Sequence, residues 1–225
     1  MTTFVLFLQR GLVEDVFRCR TTPSARLLDA PREPAAPVEF AERLETRASP
    51  LFALVERFQG RLSAGLAAGE AEDWFLRLAR QLVAEQLGME RAAGRLPAVR
   101  AATRQELYRR VQRGRDFLLS QAGARPTLAD AARAACLSPY HFHRAFTQAF
   151  GATPHQELTR HRLDRAAAML EEGESVTQVC LASGFESVSS FSSLFRRHYG
   201  IPPRAFRARH ERKKPQEGPE NPAAA

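Results

Sequence analysis

An internal repeat in the second half of the chain restricts the fold more than any other feature of the sequence. Five positions carry a matching aromatic, glycine or proline residue at a displacement of 49 positions, and these pairs are Phe142 and Phe191, Phe146 and Phe195, Phe150 and Tyr199, Gly151 and Gly200, Pro154 and Pro203. Upstream, Leu128 and Ala132 match Val176 and Cys180 at a displacement of 48. Such periodicity indicates two copies of one supersecondary unit, the second one residue shorter before its turn.

Each copy has the signals of a short helix, a turn and a longer helix. In the first copy Thr127 is a candidate N-cap for the short helix, and Ser138 with Pro139 provides an N-cap and a first-turn proline for the longer one. Gly151 then ends that helix. In the second copy Gly184 permits the turn. The second long helix is predicted to begin at Ser187.

The apolar periodicity of each long helix predicts one buried and one outward face. The outward residues are Tyr140, His143, Arg144 and Thr147 in the first copy and Ser189, Ser190, Ser193, Arg196 and Arg197 in the second. A short helix supporting a longer one with an exposed N-terminal half is the helix-turn-helix arrangement, in which the second helix enters the DNA major groove. Between the copies, the pattern predicts a helix from Pro154 to Leu170, about 25 Å long, that fixes the spacing of two half-sites.

The distribution of charge makes nucleic-acid binding plausible without establishing it. The chain has 33 Lys and Arg against 25 Asp and Glu, a net charge of +8, of which +7 falls after residue 103. Nearly all the basic residues are arginine, whose planar guanidinium suits phosphates and guanine edges. An arginine-rich composition reflecting genome base composition is the alternative explanation.

The second half resembles the double helix-turn-helix domain of AraC/XylS-type transcription regulators. The similar segments are Leu137–Phe146, Arg162–Leu163, Ala166–Leu170 and Gly184–Phe206. The resemblance covers roughly residues 108–207 and implies a mainly α fold with a C-terminal seven-helix domain. It implies sequence-specific binding to double-stranded promoter DNA in a bacterial cytoplasm. Activation through RNA polymerase is the common role in the family and repression the less common one.

The resemblance also indicates which side chains contact bases. They correspond to Tyr140, His143 and Arg144 in the first copy and to Ser189, Ser190 and Ser193 in the second. Arg144 is the strongest candidate, through a bidentate contact to guanine worth about 1–3 kcal/mol. The alternatives are a phosphate contact for Arg144, a solvated side chain for His143 and packing across the turn for Tyr140.

The second recognition helix departs from the family pattern. Ser193 stands where an arginine is common, and Ser189 and Ser190 are short. We therefore expect this helix to contribute little specificity and to be positioned on phosphates by Arg196 and Arg197. The first half-site should carry most of the sequence preference.

The first hundred residues are harder to interpret. Met1–Gln9 is predicted to be a strand, with a second near Val38–Leu44, and Ser49–Pro50 is predicted to start a helix over 51–68, followed by one over 71–87. Gly88–Pro97 should interrupt the helical pattern, and Thr103 with Glu106 has capping-box spacing. The domains expected are an α+β region over 1–100, similar to the end of a cupin-like effector domain, the DNA-binding domain over 104–210 and a disordered tail over 211–225. The family allows a small-molecule effector and a homodimer.

Two other functional classes are the alternatives to a transcription regulator. One is a DNA-repair-type protein with a reactive cysteine, but Cys19, Cys136 and Cys180 have no neighbouring base in the sequence and are expected to be reduced and packed. No catalytic set, metal site or cofactor motif is evident, so no enzymatic activity is expected. The other is a protein that coats DNA without sequence preference, which the serine-rich second helix permits. The longest early apolar run, Phe4–Leu8, is too short to span a bilayer.

Overall fold

The structure, a computed structural model, describes residues 5–30, 35, 37–38, 40, 43–67, 69–98 and 100–211. Within these ranges the regular secondary structure is helical. The helices are α1 (Leu12–Thr21), α2 (Ser24–Asp29), α3 (Pro50–Ala64), α4 (Glu70–Gly94), α5 (Ala101–Ser120), α6 (Leu128–Ala134), α7 (Pro139–Phe150), α8 (Pro154–Glu172), α9 (Val176–Ala182), α10 (Val188–Tyr199) and α11 (Pro203–Glu211), with a 3₁₀ turn at Ala122–Ala124.

The predicted N-terminal strands are wrong where the structure describes them. Val5–Gln9 forms no strand, nor do the described residues of the 38–44 segment, so the described part of the first hundred residues is not α+β. A strand needs a neighbour to pair its backbone N–H and C=O groups, and these segments do not pair. Leu6 instead packs beside the core of α3 and α4, and Phe7 is 85% exposed.

Helices α3 and α4 pack against each other through their apolar residues. Ser49 caps α3 by accepting a hydrogen bond from Phe52 N at 3.0 Å, with Pro50 in the first turn, as expected. Phe58, Trp74 and Leu78 are buried together, and the Phe58 and Trp74 rings lie 5.6 Å apart. These residues of α3 and α4 therefore form a core within one chain.

Helix α4 continues through the predicted interruption. It runs to Gly94 with Gly88 inside it, so the expected interruption over Gly88–Pro97 is wrong for residues 88–94, whereas residues 95–97 lie outside the helix as predicted. A glycine costs a helix only about 1 kcal/mol relative to alanine, and packing of the last turns of α4 offsets that cost. Met89 and Ala93 are buried against Tyr108 and Val111 of α5. The end of α4 thus belongs to the core that supports the first helix-turn-helix unit.

The N-terminus of α5 also differs from the prediction. The helix begins at Ala101, its N-cap Arg100 makes no side-chain capping bond, and Thr103 is exposed inside the first turn. Glu106 pairs with Arg110 at 2.9 Å rather than with a cap. The predicted capping box at Thr103 is therefore wrong, because the chain is already helical at that residue.

Seven α-helices lie between Ala101 and Glu211, as predicted, and they form two cores along α8. Phe142 and Phe146 are fully buried in the first core and Phe191 and Phe195 in the second. The ring centroids of each pair are 5.5 Å apart in an edge-to-face arrangement. The sequence repeat is therefore also a repeat of packing geometry.

The three cysteines differ in burial. They are free, but only Cys180 is buried, so the expectation of packed thiols is wrong for Cys19 and Cys136. Glu211, the first residue of the predicted tail, closes α11, and the rest of that tail lies outside the described residues. Among the described residues, no helix combines the length and the apolar character needed to cross a membrane.

Candidate DNA-binding surface

The first helix-turn-helix unit consists of α6, the turn at 135–138 and α7. Thr127 and Asp130 form a capping box on α6, with Thr127 N donating to Asp130 Oδ2 at 3.1 Å and Asp130 N donating to Thr127 Oγ1 at 3.2 Å. In the turn, Cys136 adopts a left-handed backbone with φ of 53°. Ser138 then caps α7 by accepting a hydrogen bond from His141 N, with Pro139 in the first turn. Both predicted caps of this unit are confirmed.

Helix α7 presents its predicted residues to solvent in its N-terminal half. Tyr140, His143 and Arg144 are exposed. Tyr140 is 69% exposed, so the alternative that it packs across the turn is wrong. Thr147, expected to point outward, is half-buried, and its hydroxyl donates to the His143 carbonyl at 2.8 Å. The exposed set is therefore confined to the first two turns of α7.

The second unit consists of α9, the turn at 183–187 and α10. It has the same arrangement of helices as the first, with different residues in the turn and on the exposed face. Gly184 holds the turn at φ of 82°, and Ser187 caps α10 by accepting a hydrogen bond from Ser190 N at 3.1 Å. The Ser187 hydroxyl also donates to the Ser190 hydroxyl at 3.0 Å. Ser189 and Ser193 are exposed. Since the Ser190 hydroxyl already has a partner within the cap, it is less free for a base contact than Ser189 or Ser193.

The arginines of the two long helices are available for an external anion. Arg144, Arg196 and Arg197 are exposed, and within residues 100–211 the structure shows none of them in an ion pair. By contrast, Arg207 of α11 pairs with Glu211 at 3.1 Å. Because the first three guanidinium groups are not neutralised within the described part of the chain, they are the better phosphate or guanine ligands.

An ion cluster that we did not predict holds the first unit against α8. Glu157 is only 4% exposed and accepts a hydrogen bond from Arg115 Nη2 of α5 at 2.7 Å, and it also pairs with Arg160. The Arg115 guanidinium lies 5.5 Å from the Phe150 ring centroid at the end of α7. One buried carboxylate thus joins α5 and α8 beside the end of α7, and its loss would leave the partly buried Arg115 charge without its partner.

A second cluster holds α10 against the other end of α8. The Tyr199 hydroxyl donates to Asp164 Oδ1 at 2.9 Å, and burial beside this carboxylate raises the pKa of Tyr199. Both acids could have been found in the sequence, because Glu157, His161 and Asp164 recur at helical spacing along the side of α8. Such a polar stripe next to an apolar face indicates side chains that hold neighbouring helices in place.

Residues 131–209 match a protein-family model described as "Helix-turn-helix domain". This region is an AraC-type helix-turn-helix domain. The match contains both turns, both long helices and all eight side chains predicted to contact DNA. The AraC-type domain is therefore the part of the chain to which α7 and α10 belong.

Curated relatives of the AraC-type domain are transcription regulators. The chain is 38% identical over 81 residues to "Probable transcriptional regulator LumQ" of Photobacterium leiognathi, covering 36% of this chain and 33% of that protein. It is 41% identical over 66 residues to "HTH-type transcriptional activator RhaS" of Escherichia fergusonii, covering 29% and 24%. The chain thus spans a quarter to a third of the length of these relatives.

A solved structure of an AraC-type DNA-binding domain-containing regulator from Chromobacterium violaceum is also similar. It is 28% identical, with a TM-score of 0.44, and the match covers 47% of this chain and 95% of that one. The comparisons do not favour the alternative classes, a repair-type protein with a reactive cysteine or a sequence-neutral coating protein.

Proposed function

We propose that this protein is a sequence-specific DNA-binding transcription regulator that places α7 and α10 in successive major grooves. The observation that carries the proposal is the exposure of Tyr140, His143 and Arg144 on the first two turns of α7, beyond a capped turn. In helix-turn-helix proteins these N-terminal turns of the second helix face the base edges. The AraC-type domain match supports the same assignment.

Arg144 is proposed as the principal base-contacting residue. Its guanidinium is exposed and, among the described residues, in no ion pair, so it can donate two parallel hydrogen bonds to guanine O6 and N7. Such a contact discriminates against other bases by about 1–3 kcal/mol. His143 would donate to or accept from a neighbouring base edge, and Tyr140 would contact a thymine methyl group or the sugar.

Helix α10 is proposed to position the protein more than to specify sequence. Arg196 and Arg197 would bind phosphates, while Ser189 and Ser193 make short-range contacts and Ser190 stays engaged with the Ser187 cap. Phosphate contacts add affinity without sequence information. The half-site under α7 should therefore be the better defined of the two.

The length of α8 suits this placement. With 19 residues it is about 28 Å long, two residues longer than predicted. Half-sites in successive major grooves are about 34 Å apart, and the widths of the two units supply the difference. The DNA-binding domain is proposed to span residues 104–210.

The remaining expectations extend this proposal to the whole protein. Activation through contact with RNA polymerase is preferred to repression because RhaS, a relative, is named a transcriptional activator. Residues 1–100 are proposed as an accessory region, attached through the end of α4 to the first core. A small-molecule effector and a homodimer remain predictions for that region, and so does location in the bacterial cytoplasm.

Selection of preferred sites from random duplex DNA tests the proposal. We expect a two-part motif in which one half is sharply defined and contains a guanine that Arg144→Ala no longer selects. Failure to enrich any motif would contradict sequence-specific binding and favour a coating protein. Two equally sharp halves would contradict the unequal division of specificity between α7 and α10.

A further inference from the structure

The segment that leads into the first helix-turn-helix unit touches the second unit directly, in addition to the link through α8. The connector between α5 and α6, residues 121–125, lies against residues 182–186, which comprise the end of α9 and most of the second turn. Ala122 of the connector and Ser183 of the turn are fully buried. The two cores described above have no residue in common among the described residues, with Leu158 of α8 in the first and Leu163 of α8 in the second. We call the contact of residues 121–125 with residues 182–186 and Arg162 the inter-unit contact. It connects two parts of the domain that have separate hydrophobic cores.

Arg162 of α8 lies at the centre of the inter-unit contact. Its Nε donates to the Ala122 carbonyl at 2.8 Å. A Cβ atom built at Gly184 would lie 3.2 Å from Arg162 Nε and 2.7 Å from the Ala122 carbonyl oxygen. One guanidinium thus lies between the linker helix, the connector of the first unit and the turn of the second.

Arg125 adds a second attachment at the edge of the inter-unit contact. Its Nη1 pairs with Glu186 Oε1 at 3.2 Å and its Nη2 donates to the Phe185 carbonyl at 3.4 Å. Because this ion pair is exposed to solvent, it contributes little to stability by itself. It nevertheless joins the connector to residues 185 and 186 separately from the Arg162 hydrogen bond to Ala122, and two attachment points resist rotation better than one.

The internal repeat supplies a comparison that separates the turn from the contact. Cys136, the counterpart of Gly184 in the first unit, has the same left-handed backbone, with φ of 53° against 82°. This kind of turn therefore accepts a side chain in this protein. At position 184 a side chain would collide with the Ala122 carbonyl, a backbone atom, so the glycine there is required by the neighbouring unit.

We propose that this inter-unit contact, with Arg162 as its positioning residue, fixes the orientation of α10 relative to α7 and so determines the half-site spacing that the protein accepts. Helix α8 holds each unit separately, through Glu157 on one side and Asp164 on the other, and the inter-unit contact adds a direct restraint between the two. The spacing consequence rests on the proposed function, whereas the fixed orientation is a property of the free protein. One inserted base pair moves the second half-site by about 3.4 Å and turns it by about 34°, which a rigid pair of units cannot follow.

The first test measures orientation in the full-length protein without DNA. Residual dipolar couplings of backbone amides would be recorded for the wild type, Arg162→Gln and Arg162→Lys. We expect residues 104–150 and 163–210 of the wild type to fit one alignment tensor and those of Arg162→Gln to need two. Arg162→Lys, which keeps a donor, should restore part of the common alignment. A single tensor for Arg162→Gln would overturn the proposal.

The second test measures affinity for the selected site with one base pair added or removed between its halves. The wild type should lose about tenfold or more in affinity, which corresponds to the loss of one or two base contacts. The affinity of Arg162→Gln for the same altered duplexes should fall by less than about threefold. Its affinity for the first half-site alone should stay at the wild-type value. An unchanged spacing profile for Arg162→Gln would overturn the proposal.

Arg110→Gln is the matched control for charge. It removes one positive charge from α5, in an exposed pair with Glu106 and outside the inter-unit contact. It should retain the wild-type spacing profile, and a loosened profile would contradict a specific role for Arg162. If the wild type selects no two-part site, the proposed function fails, while the alignment measurement still decides whether Arg162 fixes the two units.

Discussion

At the residue scale, Gly114 shows how a single position of α5 depends on a neighbour far away in the chain. A Cβ atom at this position would lie 2.4 Å from Phe142 Cε2 and 2.9 Å from the Ala131 carbonyl oxygen. Because Phe142 is fully buried, its ring has no space into which to retreat. Gly114→Ala is therefore expected to lower the free energy of unfolding by about 1–3 kcal/mol, despite the better helix propensity of alanine.

Gly60→Ala is the control for that substitution, measured by the same urea unfolding. Gly60 lies inside α3, and a Cβ atom there would meet nothing within 4 Å. We expect it to raise the free energy of unfolding by about 0.5–1 kcal/mol. If both substitutions stabilise the protein, the close approach of α5 to α7 at Gly114 is wrong.

His161 of α8 makes stability depend on pH. Burial lowers its pKa and outweighs the nearby Asp164, which acts in the opposite direction, and its buried Nδ1 has no hydrogen-bond partner among the described residues. The unfolded chain takes up this proton near pH 6.5, where the native state does not. The free energy of unfolding is therefore not reduced by His161 above about pH 6.5, and it decreases as the pH falls through that value.

Urea unfolding of the wild type and His161→Gln, at about pH 7.5 and about pH 5.5, tests this assignment. The wild type should lose more free energy of unfolding between the two conditions than the variant does. The difference cannot exceed about 1.4 kcal/mol for each pH unit. Equal losses would show that His161 titrates alike in the folded and unfolded states.

The sequence predicts the packing residues of the repeat better than the contacts between elements. Phe142, Phe146, Phe191 and Phe195 are all buried as expected, since helical periodicity is a local signal. Gly114 and Arg162 received no such prediction, because their partners, Phe142 and Ala122, are distant in the sequence. Nothing local in the sequence indicates which distant partner a glycine or an arginine will meet.

At the scale of elements, helix capping gives a direct comparison between a correct and an incorrect prediction. Thr127 caps α6, whereas Thr103 lies exposed inside the first turn of α5. Thr127→Ala should lower the free energy of unfolding by about 0.5–2 kcal/mol. Thr103→Ala should change it by less than about 0.5 kcal/mol.

Thermal and urea unfolding of both threonine variants would show whether capping has been assigned to the right residue. Ser138→Ala, at the cap of α7, should behave like Thr127→Ala, since its hydroxyl accepts a hydrogen bond from His141 N. A loss of stability for Thr103→Ala as large as that for Thr127→Ala would contradict the observed start of α5.

The two failed predictions in the first hundred residues have a common cause. An apolar run such as Val5–Leu8 suits a strand, but a strand forms only where another strand pairs with it, and none does so in the described residues. Gly88 marks a plausible helix end, yet Met89 and Ala93 gain burial by continuing the helix onto α5. In both cases the tertiary contacts, and not the preference of the local sequence, determined the backbone conformation.

At the scale of the whole molecule, the chain is organised as an N-terminal helical region attached to two repeated units. The backbone N–H of Leu44 donates to Asp116 of α5 at 3.3 Å, and Arg43 pairs with Glu85 of α4 at 2.9 Å. The Arg43 pair joins the segment before α3 to α4, whereas the Leu44 hydrogen bond and the end of α4 hold the region before α5 against α5 and the first core. The repeat predicted both turns and the helix between them, and the family resemblance implied the seven-helix architecture. This attachment was not predicted, because its partners are distant in the sequence.

The measurement that tests the central claim most directly is a fluorescence-anisotropy titration of wild type and Arg144→Ala. Each protein would be titrated with the selected duplex and with a shuffled duplex of the same composition, at two salt concentrations. We predict that the wild type prefers the selected duplex at both salt concentrations and that Arg144→Ala reduces that preference by about 5- to 150-fold. Equal, strongly salt-dependent binding of the wild type to both duplexes would contradict the account.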